Sequence, residues 1–493
     1  MSSEYFDVII VGAGLSGIGA ACHLQKQCPG KRYAILEGRE SLGGTWDLFR
    51  YPGIRSDSDM HTLGYNFKPW KDSKAIADGP AILKYIKETA AEYRVEEHIR
   101  FGHRVVAASW SSEDATWTLE IRRNGSSEVE HLRCNMLLMC SGYYNYEHGH
   151  LPDFKGRDRF GGDIVHPQFW PEDLDYTGKK VVVIGSGATA MTLVPEMAAD
   201  VEHIVMLQRS PTYVISFPDE DWIANALRAV LPEKWAYAIT RWKNITFQTF
   251  TYGLTRTRPA MMKRFLLRRV RKELGKDYPV EKHFTPDYNP WDQRLCLVPN
   301  SDLFEAIRSG KASVVTDTID AFTENGILLE SGEELEADII VTATGLDLLV
   351  LGGVDFEVDG QPVDFGKTVT YLGMMSSGVP NLVSTFGYIN ASWTLRADLI
   401  AEYFCRLVNH MDAVGARQCT PTPDAELEAA ADRPYIMDFS SGYIQRVIDQ
   451  MPKQGIDGPW TNPQDYKRDR KLFRKGEIDD GALIFDNEQQ RCA

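Results

Sequence analysis

Two short glycine-rich stretches carry the residue types best suited to holding a dinucleotide. The first, GAGLSG, occupies residues 12–17 and follows an apolar segment, FDVIIV. Gly12 permits a tight turn, Gly14 lets a pyrophosphate approach the backbone, and Gly17 lets the following helix pack on the strand. The helix N-terminus offers free N–H donors to the phosphates. These residues predict the strand, loop and helix of a dinucleotide-binding unit.

The residue that ends the next strand indicates which nucleotide this loop accepts. The stretch RYAILE (32–37) places Glu37 at that position. A carboxylate there accepts hydrogen bonds from both free hydroxyls of an adenosine ribose. The first loop is therefore predicted to bind FAD or NAD.

The same pattern returns later in the chain with a different charge. KKVVVIGSGATA (179–190) contains Gly185 and Gly187, with alanine at the third glycine position, and the next strand, HIVMLQR, ends at Arg209. An arginine at this place pairs with a 2′-phosphate, so the second loop is predicted to bind NADP. Thr189 and Ser210 are predicted to bind the cofactor as well, and Thr212 is a further candidate to help Arg209 hold the phosphate.

Each glycine loop belongs to a unit that closes in the same way. Hairpin signals at Asn124-Gly125 and Asn325-Gly326 precede apolar strands that end at Gly142 and Gly345. The predicted fold is α/β, with two Rossmann-like dinucleotide-binding domains and a helical insertion at about 216–290. The predicted domains are 1–150 (first part of the FAD domain), 151–345 (NADP domain) and 346–493 (second part of the FAD domain and C-terminal region).

Composition narrows the class of protein. The 493 residues include 43% hydrophobic and 25% charged residues, as in ordinary globular proteins. The net charge of −15 argues against nucleic-acid binding, and no apolar run approaches the ~20 residues of a membrane span. The eight cysteines show neither a CxxC pair nor a metal-type spacing, and no signal peptide is recognisable. These features predict a cytoplasmic protein without a metal site.

Two longer patterns point to a family. The pattern FxGxxxHxxxWP is matched by Phe160, Gly162, His166, Trp170 and Pro171. The pattern [AG]GxWxxxx[FY]P[GM]xxxD is matched by Gly43, Gly44, Trp46, Tyr51, Pro52, Gly53 and Asp57. With these motifs around two nucleotide folds, the chain resembles class B flavoprotein monooxygenases, and more narrowly Baeyer–Villiger monooxygenases. Segments such as SGYYN and NASWTL are similar to the ethionamide-activating branch.

The resemblance implies a reaction. FAD, NADPH and O2 would convert ketones to esters or lactones through a flavin C4a-peroxide, and sulfides would be oxidised on the same scaffold. The expected partners are therefore a small ketone or sulfide and O2. A flavin-containing S- or N-monooxygenase is the alternative; a NADPH-dependent flavin reductase or a non-enzymatic redox flavoprotein is less favoured. The disulfide reductases are disfavoured because five residues, not four, separate Cys22 from Cys28.

The resemblance also implies roles for individual residues. Arg294 matches the family's active-site arginine, and Asp57 matches the carboxylate that pairs with it. A permanent cation suits the stabilisation of an anionic intermediate. Asp59 is a second candidate for the role of Asp57, with a cap or turn acid as the equal alternative. Gln293 stands where several relatives place a lysine, which makes NADP preference depend more on Arg209.

Further residues are assigned by their place in the two patterns. Gly44, Thr45, Trp46, Tyr51 and Asp57 are predicted to bind the cofactor, with Trp46 and Tyr51 beside the flavin ring, although both aromatic residues suit a protein core equally well. Residues 160–171 are expected to form a hinge between the domains rather than to supply a proton-transfer group. Thr344 and Gly345 resemble the linker back to the FAD domain.

One basic segment has the composition of a helix that could bind a membrane surface. Residues 258–276, RPAMMKRFLLRRVRKELGK, are basic and partly amphipathic. Such a helix can lie on an anionic bilayer surface, but a solvated helical cap is the more common interpretation. Peripheral membrane contact is therefore an open alternative.

Overall fold

The computed structural model describes residues 4–126, 128–437 and 439–486. Residues 4–149 begin with the strand, helix and strand of a dinucleotide-binding pattern, continue with three further helices and end with a run of five strands. The strands are β1 (Glu4–Val11), β2 (Tyr33–Leu36), β3 (Ile99–Arg100), β4 (His103–Ser111), β5 (Thr116–Arg123), β6 (Val129–Met139) and β7 (Tyr144–Gly149). The helices are α1 (Leu15–Gln27), α2 (Thr45–Leu48), α3 (Met60–Leu63) and α4 (Gly79–Glu92).

The middle of the chain repeats the strand–helix–strand pattern over residues 180–208 and adds a helical segment. Its strands are β8 (Asp163–Val165), β9 (Lys180–Ile184), β10 (His203–Gln208), β11 (Val214–Phe217), β12 (Cys296–Pro299), β13 (Ala312–Thr316), β14 (Ile319–Phe322), β15 (Gly326–Leu329), β16 (Glu334–Glu336) and β17 (Ile339–Thr342). Its helices are α5 (Ala188–Met197), α6 (Trp222–Val230), α7 (Glu233–Thr257), α8 (Pro259–Leu274), α9 (Val280–His283) and α10 (Asp302–Arg308). Helices α6 to α9 form the predicted insertion, between β11 and β12.

The last part of the chain has short strands and one long helix. The strands are β18 (Leu346–Leu348), β19 (Asp355–Val358), β20 (Gln361–Pro362), β21 (Thr370–Tyr371), β22 (Met375–Ser376), β23 (Leu382–Ser384), β24 (Gln418–Pro421) and β25 (Leu483–Asp486). The helices are α11 (Trp393–Val414), α12 (Ala425–Ala430), α13 (Gly442–Gln445) and α14 (Tyr466–Lys475).

The first glycine loop follows the carboxyl end of β1, an interior strand of a nine-stranded sheet. Its order is β20-β19-β4-β5-β6-β1-β2-β3, with β23 also paired to β6, and β1 runs parallel to both β2 and β6. Both faces of β1 are covered, which explains its continuous apolar sequence. Val8 and Ile10 pack in the same core as α1 and α11, whereas Ile9 packs in a second core with Trp117 and Phe356.

The second glycine loop belongs to a five-stranded sheet. All pairs in the order β13-β10-β9-β17-β8 are parallel. Val181 and Val183 of β9 pack with α5 and α10, while Val182 and Ile184 pack with the antiparallel β14–β16 sheet. The predicted α/β class with two Rossmann-like sheets is confirmed, and the exact domain boundaries stay a prediction.

A buried cation joins the helical insertion to the first unit. Arg241 of α7 is only 9% exposed. Its Nη1 donates to the carbonyl oxygens of His61 and Gly64 at 2.9 and 2.8 Å, which are groups left unpaired at the end of α3. Its Nη2 lies 3.4 Å from the buried Asp398 carboxylate of α11. One side chain therefore ties α7 to two elements of the first unit.

None of the helices in the described ranges is both long enough and apolar enough to cross a lipid bilayer.

Replacing Arg241 by methionine should destabilise the protein. The change leaves the Asp398 carboxylate and two carbonyl groups without this donor, and breaking a buried ion pair costs about 3 kcal/mol or more. We expect a clearly lower urea midpoint for Arg241→Met, measured by circular dichroism. Lys234→Met on the same helix is the control, because Lys234 is exposed. Equal midpoints for the two variants would contradict the anchoring role of Arg241.

Candidate functional site

One cavity of about 1080 Å³ contains both glycine loops in its wall. This volume is at the upper end for ligand pockets, which suits more than one bound molecule. The predicted cofactor-binding residues in its wall are Gly12, Gly14, Glu37, Gly44, Thr45, Trp46, Tyr51, Asp57, Gly185, Gly187, Thr189, Arg209 and Ser210. Gly17 lies outside the wall, because it packs α1 against the Gly12 carbonyl.

The first glycine of each loop fits against the end of another strand. Gly12 has φ +104°, and a Cβ there would lie 2.5 Å from the Cys140 carbonyl oxygen. Gly185 has φ +134°, and a Cβ there would lie 2.3 Å from the Ala343 oxygen. Both the backbone angle and the close approach therefore require glycine.

The second glycine of each loop, Gly14 or Gly187, has no close protein neighbour within the described ranges at the position of a Cβ. A Cβ on Gly14 would find its nearest neighbour, the Gly44 Cα, at 3.5 Å, and a Cβ on Gly187 would find nothing within 4 Å. No protein atom in the described residues therefore demands glycine at these places. The empty space fits a phosphate group that approaches the backbone at each helix N-terminus.

The strand-end residues retain the predicted difference in charge. Glu37 is 6% exposed, and its carboxylate accepts hydrogen bonds from the Ala13 and Arg39 N–H groups at 2.7 and 3.0 Å. Burial raises the pKa of Glu37, while these N–H groups oppose the rise. Arg209, after β10, is exposed beside Ser210 in the wall of the cavity. A carboxylate thus marks the first loop and a guanidinium the second.

Arg294 and Asp57 form an ion pair in the same cavity. Nε and Nη2 of Arg294 both donate to Oδ2 of Asp57, at 2.9 and 2.5 Å. The Asp57 carboxylate raises the pKa of Arg294, so the guanidinium stays charged. Nη1 has one long contact, to the Ile389 carbonyl oxygen at 3.5 Å. The pair therefore presents a fixed positive charge with a donor that is largely free.

Asp59 does not share this role. Its carboxylate caps α3 by accepting from the Thr62 N–H at 3.1 Å. It also accepts from Asn244 and Gln248 of α7, each at 2.8 Å. Of the two alternatives for Asp59, the structure supports the cap and not the partner of Arg294, because these donors hold its carboxylate at the start of α3 and against the insertion.

Tyr51 lies where the two units meet. Burial raises the pKa of Tyr51 to about 12, against a smaller opposing effect of the Thr189 hydroxyl on α5. Trp46, on α2, is half-buried and lines the cavity. Both aromatic side chains are thus in the wall, and their contact with flavin stays a prediction.

Several tyrosines near Arg294 were missed by the sequence analysis. Tyr143 stacks on Trp393 with ring centres 5.1 Å apart, and its hydroxyl lies 3.2 Å from that of Tyr144. Burial raises the pKa of Tyr443 on α13, and the nearby Arg294 charge opposes the rise. The stretch SGYYN contained the only signal for the first two, and Tyr443 lies in a region without recognisable motifs.

The FxGxxxHxxxWP segment lies outside the cavity wall. Nε2 of His166 is 3.3 Å from the Gly345 carbonyl oxygen, and its ring occupies the space that a Cβ on Gly149 would need. Burial lowers the pKa of His166. His166 therefore contacts both of the segments that connect the two units, at Gly149 and at Gly345. The other residues of the pattern differ in burial. Phe160 is buried in the second unit, and Gly162 lies so close to the Asp338 carbonyl oxygen that a Cβ would collide with it. Trp170 is half-buried and Pro171 is exposed.

The linker back to the first unit is also fixed by a hydrogen bond. The Thr344 hydroxyl donates to the His150 carbonyl oxygen at 2.5 Å, and both Thr344 and Gly345 line the cavity.

Across residues 4–126, 128–437 and 439–486, no three His, Cys, Asp or Glu side chains are grouped so as to hold a metal ion.

Comparison with known proteins assigns this site to a family. Residues 67–350 match the model of the flavin-binding monooxygenase-like family, and residues 10–75 match an NAD(P)-binding Rossmann-like domain. The chain belongs to the flavin-binding monooxygenase-like family. FAD-containing monooxygenase EthA of Mycobacterium tuberculosis is 55% identical over 485 residues, with 98% of both chains covered. EthA of Mycolicibacterium smegmatis is 52% identical, with 98% of this chain and 97% of the relative covered.

Solved structures of other monooxygenases share the fold of this family member. A steroid monooxygenase bound to NADP has a TM-score of 0.78 at 24% identity, covering 98% of this chain and all of its own. Cyclohexanone monooxygenase from Rhodococcus sp. Phi1, bound to NADP+, has a TM-score of 0.76 at 20% identity, covering 99% of this chain and all of its own. The predicted class, a flavin monooxygenase with two dinucleotide-binding folds, is confirmed.

Gly14→Ala should fold normally and lose bound flavin. The added methyl group has room in the protein, but it occupies the space at the helix N-terminus that a pyrophosphate needs. We expect unchanged thermal stability of the cofactor-free protein and at least about a tenfold lower FAD affinity, from fluorescence titration. Gly30→Ala, in an exposed turn with nothing within 4 Å, is the matched control. Unchanged FAD affinity would remove Gly14 from the site.

Proposed function

We propose that this protein is a Baeyer–Villiger monooxygenase that uses FAD, NADPH and O2 to convert ketones to esters or lactones. The observation that carries the proposal is the Arg294–Asp57 pair, which faces the cavity that contains both glycine loops. One oxygen atom of O2 enters the product and the other leaves as water, and NADPH supplies the two electrons. Bound FAD supplies the electron transfer and the activation of O2.

The two loops divide the cofactors between them. Gly12, Gly14 and Glu37 suit FAD, since Glu37 accepts from the hydroxyl groups of a free ribose. Gly187 and Arg209 suit NADPH, because the guanidinium pairs with a 2′-phosphate. Both sets lie in the wall of one cavity, which supports direct contact between the two cofactors.

Arg294 is proposed to stabilise negative charge on oxygen during the reaction. Asp57 holds the Nε and Nη2 edge of the guanidinium and leaves Nη1 available to donate. A fixed donor in a site shielded from water stabilises a developing oxyanion without reorganising first. Trp46, Tyr51 and Tyr143 line the same cavity and would keep water from the reacting atoms.

The proposal includes organic sulfides as a second class of substrate. Aromatic side chains form a large part of the wall around the charged pair, so an apolar sulfide fits the same space. A cytoplasmic location is proposed as well. All seven cysteines among the described residues are buried free thiols, as is usual in a reducing compartment.

Arg294→Ala should separate flavin reduction from oxygenation. Without the cation, NADPH still reduces the flavin, but oxygenated product should fall at least about a hundredfold, as on loss of one oxyanion donor. The measurement compares anaerobic flavin bleaching with product yield from ketone and sulfide panels. Arg308→Ala, at an exposed arginine of α10, is the control. Wild-type product yield in Arg294→Ala would refute the role of Arg294.

Arg209→Ala should change the coenzyme preference. Loss of the charge-assisted hydrogen bonds to the 2′-phosphate costs about 1–3 kcal/mol, which raises KM for NADPH about fivefold to a hundredfold. KM for NADH, which lacks this phosphate, should hardly change. Steady-state kinetics with both coenzymes test this, and equal effects on the two would remove Arg209 from the phosphate site.

A further inference from the structure

The helical insertion exposes an unusual amount of apolar surface. Nine of the 18 large hydrophobic side chains that are exposed in the described residues lie on α6, α7 and α8. Isolated exposed apolar residues are normal, but a concentration of this kind marks a contact surface. The nine are Trp222, Val230, Trp235, Ile239, Trp242, Phe247, Phe250, Met261 and Phe265.

Helix α7 is turned with its aromatic side outward. Trp235, Ile239, Trp242 and Phe250 follow helical spacing and so share one side of the helix, which we call the aromatic face. Trp235, Trp242 and Phe250 are 67%, 66% and 65% exposed. The buried side instead holds polar groups, among them Arg241 with its hydrogen bonds to α3. The aromatic face therefore cannot be turned inward without breaking the buried anchor.

The charge around this face is opposite to that of the whole chain. Residues 222–276 contain 13 Lys and Arg but two Asp and Glu, whereas the whole chain has a net charge of −15. Arg264, Arg268 and Lys272 on the exposed side of α8 form no ion pair within the part of the chain that the structure describes. The helical insertion thus combines exposed tryptophans with unpaired positive charge.

We propose that the aromatic face of α7, with the basic side of α8, binds the surface of an anionic lipid bilayer. Tryptophan side chains prefer the interface between headgroups and acyl chains, and lysine and arginine are attracted to anionic headgroups. The protein would lie on the surface, since none of the described helices suits a membrane span. In a symmetric dimer this basic surface would lie against its own copy, so repulsion between like charges favours anionic lipid over a second copy.

Vesicle sedimentation of the purified holoenzyme tests this binding. The wild type should sediment with vesicles of phosphatidylcholine and phosphatidylglycerol in equal parts, but not with phosphatidylcholine alone. Higher salt should weaken the binding, because it screens the attraction of exposed charges. A blue shift of tryptophan emission should accompany binding.

The double variant Trp235→Gln, Trp242→Gln should bind the anionic vesicles at least about tenfold more weakly, since it removes the largest apolar groups of the face. The matched control, Ile456→Gln with Ile484→Gln, removes exposed apolar groups outside the insertion and should bind like the wild type. Neither tryptophan lines the cavity, so FAD content and NADPH oxidation in buffer should be unchanged and report correct folding.

Three results would overturn the proposal. The first is no binding of the wild type to anionic vesicles. The second is equal binding by the wild type and the tryptophan variant. The third is self-association in sedimentation velocity that the tryptophan variant abolishes, together with no vesicle binding, which would show that a second copy covers the face. None of these results depends on the proposed reaction.

Discussion

The ion pair between Arg294 and Asp57 fixes the charge and the orientation of the arginine that faces the cavity. Its two members come from different parts of the fold. Asp57 follows the first glycine loop and α2, whereas Arg294 precedes β12 at the end of the helical insertion. The Nε and Nη2 groups reach one carboxylate oxygen, so the position of Nη1 depends on where both loops lie. The contacts that position one unit against the other therefore also determine the geometry of the Arg294–Asp57 pair.

Contacts close to the pair hold the two units in place. Nη1 of Arg55 donates to Asp302 of α10 at 2.6 Å, which is an ion pair between the two units only two residues from Asp57. Gly53 lies against Glu196 of α5, where a Cβ would come within 3 Å of that side chain. Arg241 attaches the insertion to α3, and Asp59 at the start of α3 accepts from the same long helix. Two residues within the second sequence pattern, Gly53 and Arg55, thus contact the second unit directly.

Residues whose type is dictated by local geometry could be predicted from the sequence. The glycine loops, Glu37 and Arg209 follow from backbone and strand-end rules, and Arg294 with Asp57 followed from the family patterns. Tyr443 could not be found, because it reaches the cavity only through packing of the C-terminal region. The outward side of α7 was also missed, since helical spacing shows which residues share a side but not which side faces water. The two alternatives for Asp59 could not be separated for a similar reason, because two of its donors come from a helix distant in sequence.

The order in which the two units appear along the chain differs from the order in which their sheets can be completed during synthesis. All five strands of the second parallel sheet lie between residues 163 and 342, so this sheet is complete once that stretch has been synthesised. The first sheet begins at residue 4 but needs β19, β20 and β23, and the apolar side of α1 needs α11. The unit that leaves the ribosome first is therefore the last to bury its core. Until residue 414 has emerged from the ribosome, the apolar side of α1 lacks the helix that covers it, and exposed apolar surface of this kind promotes aggregation.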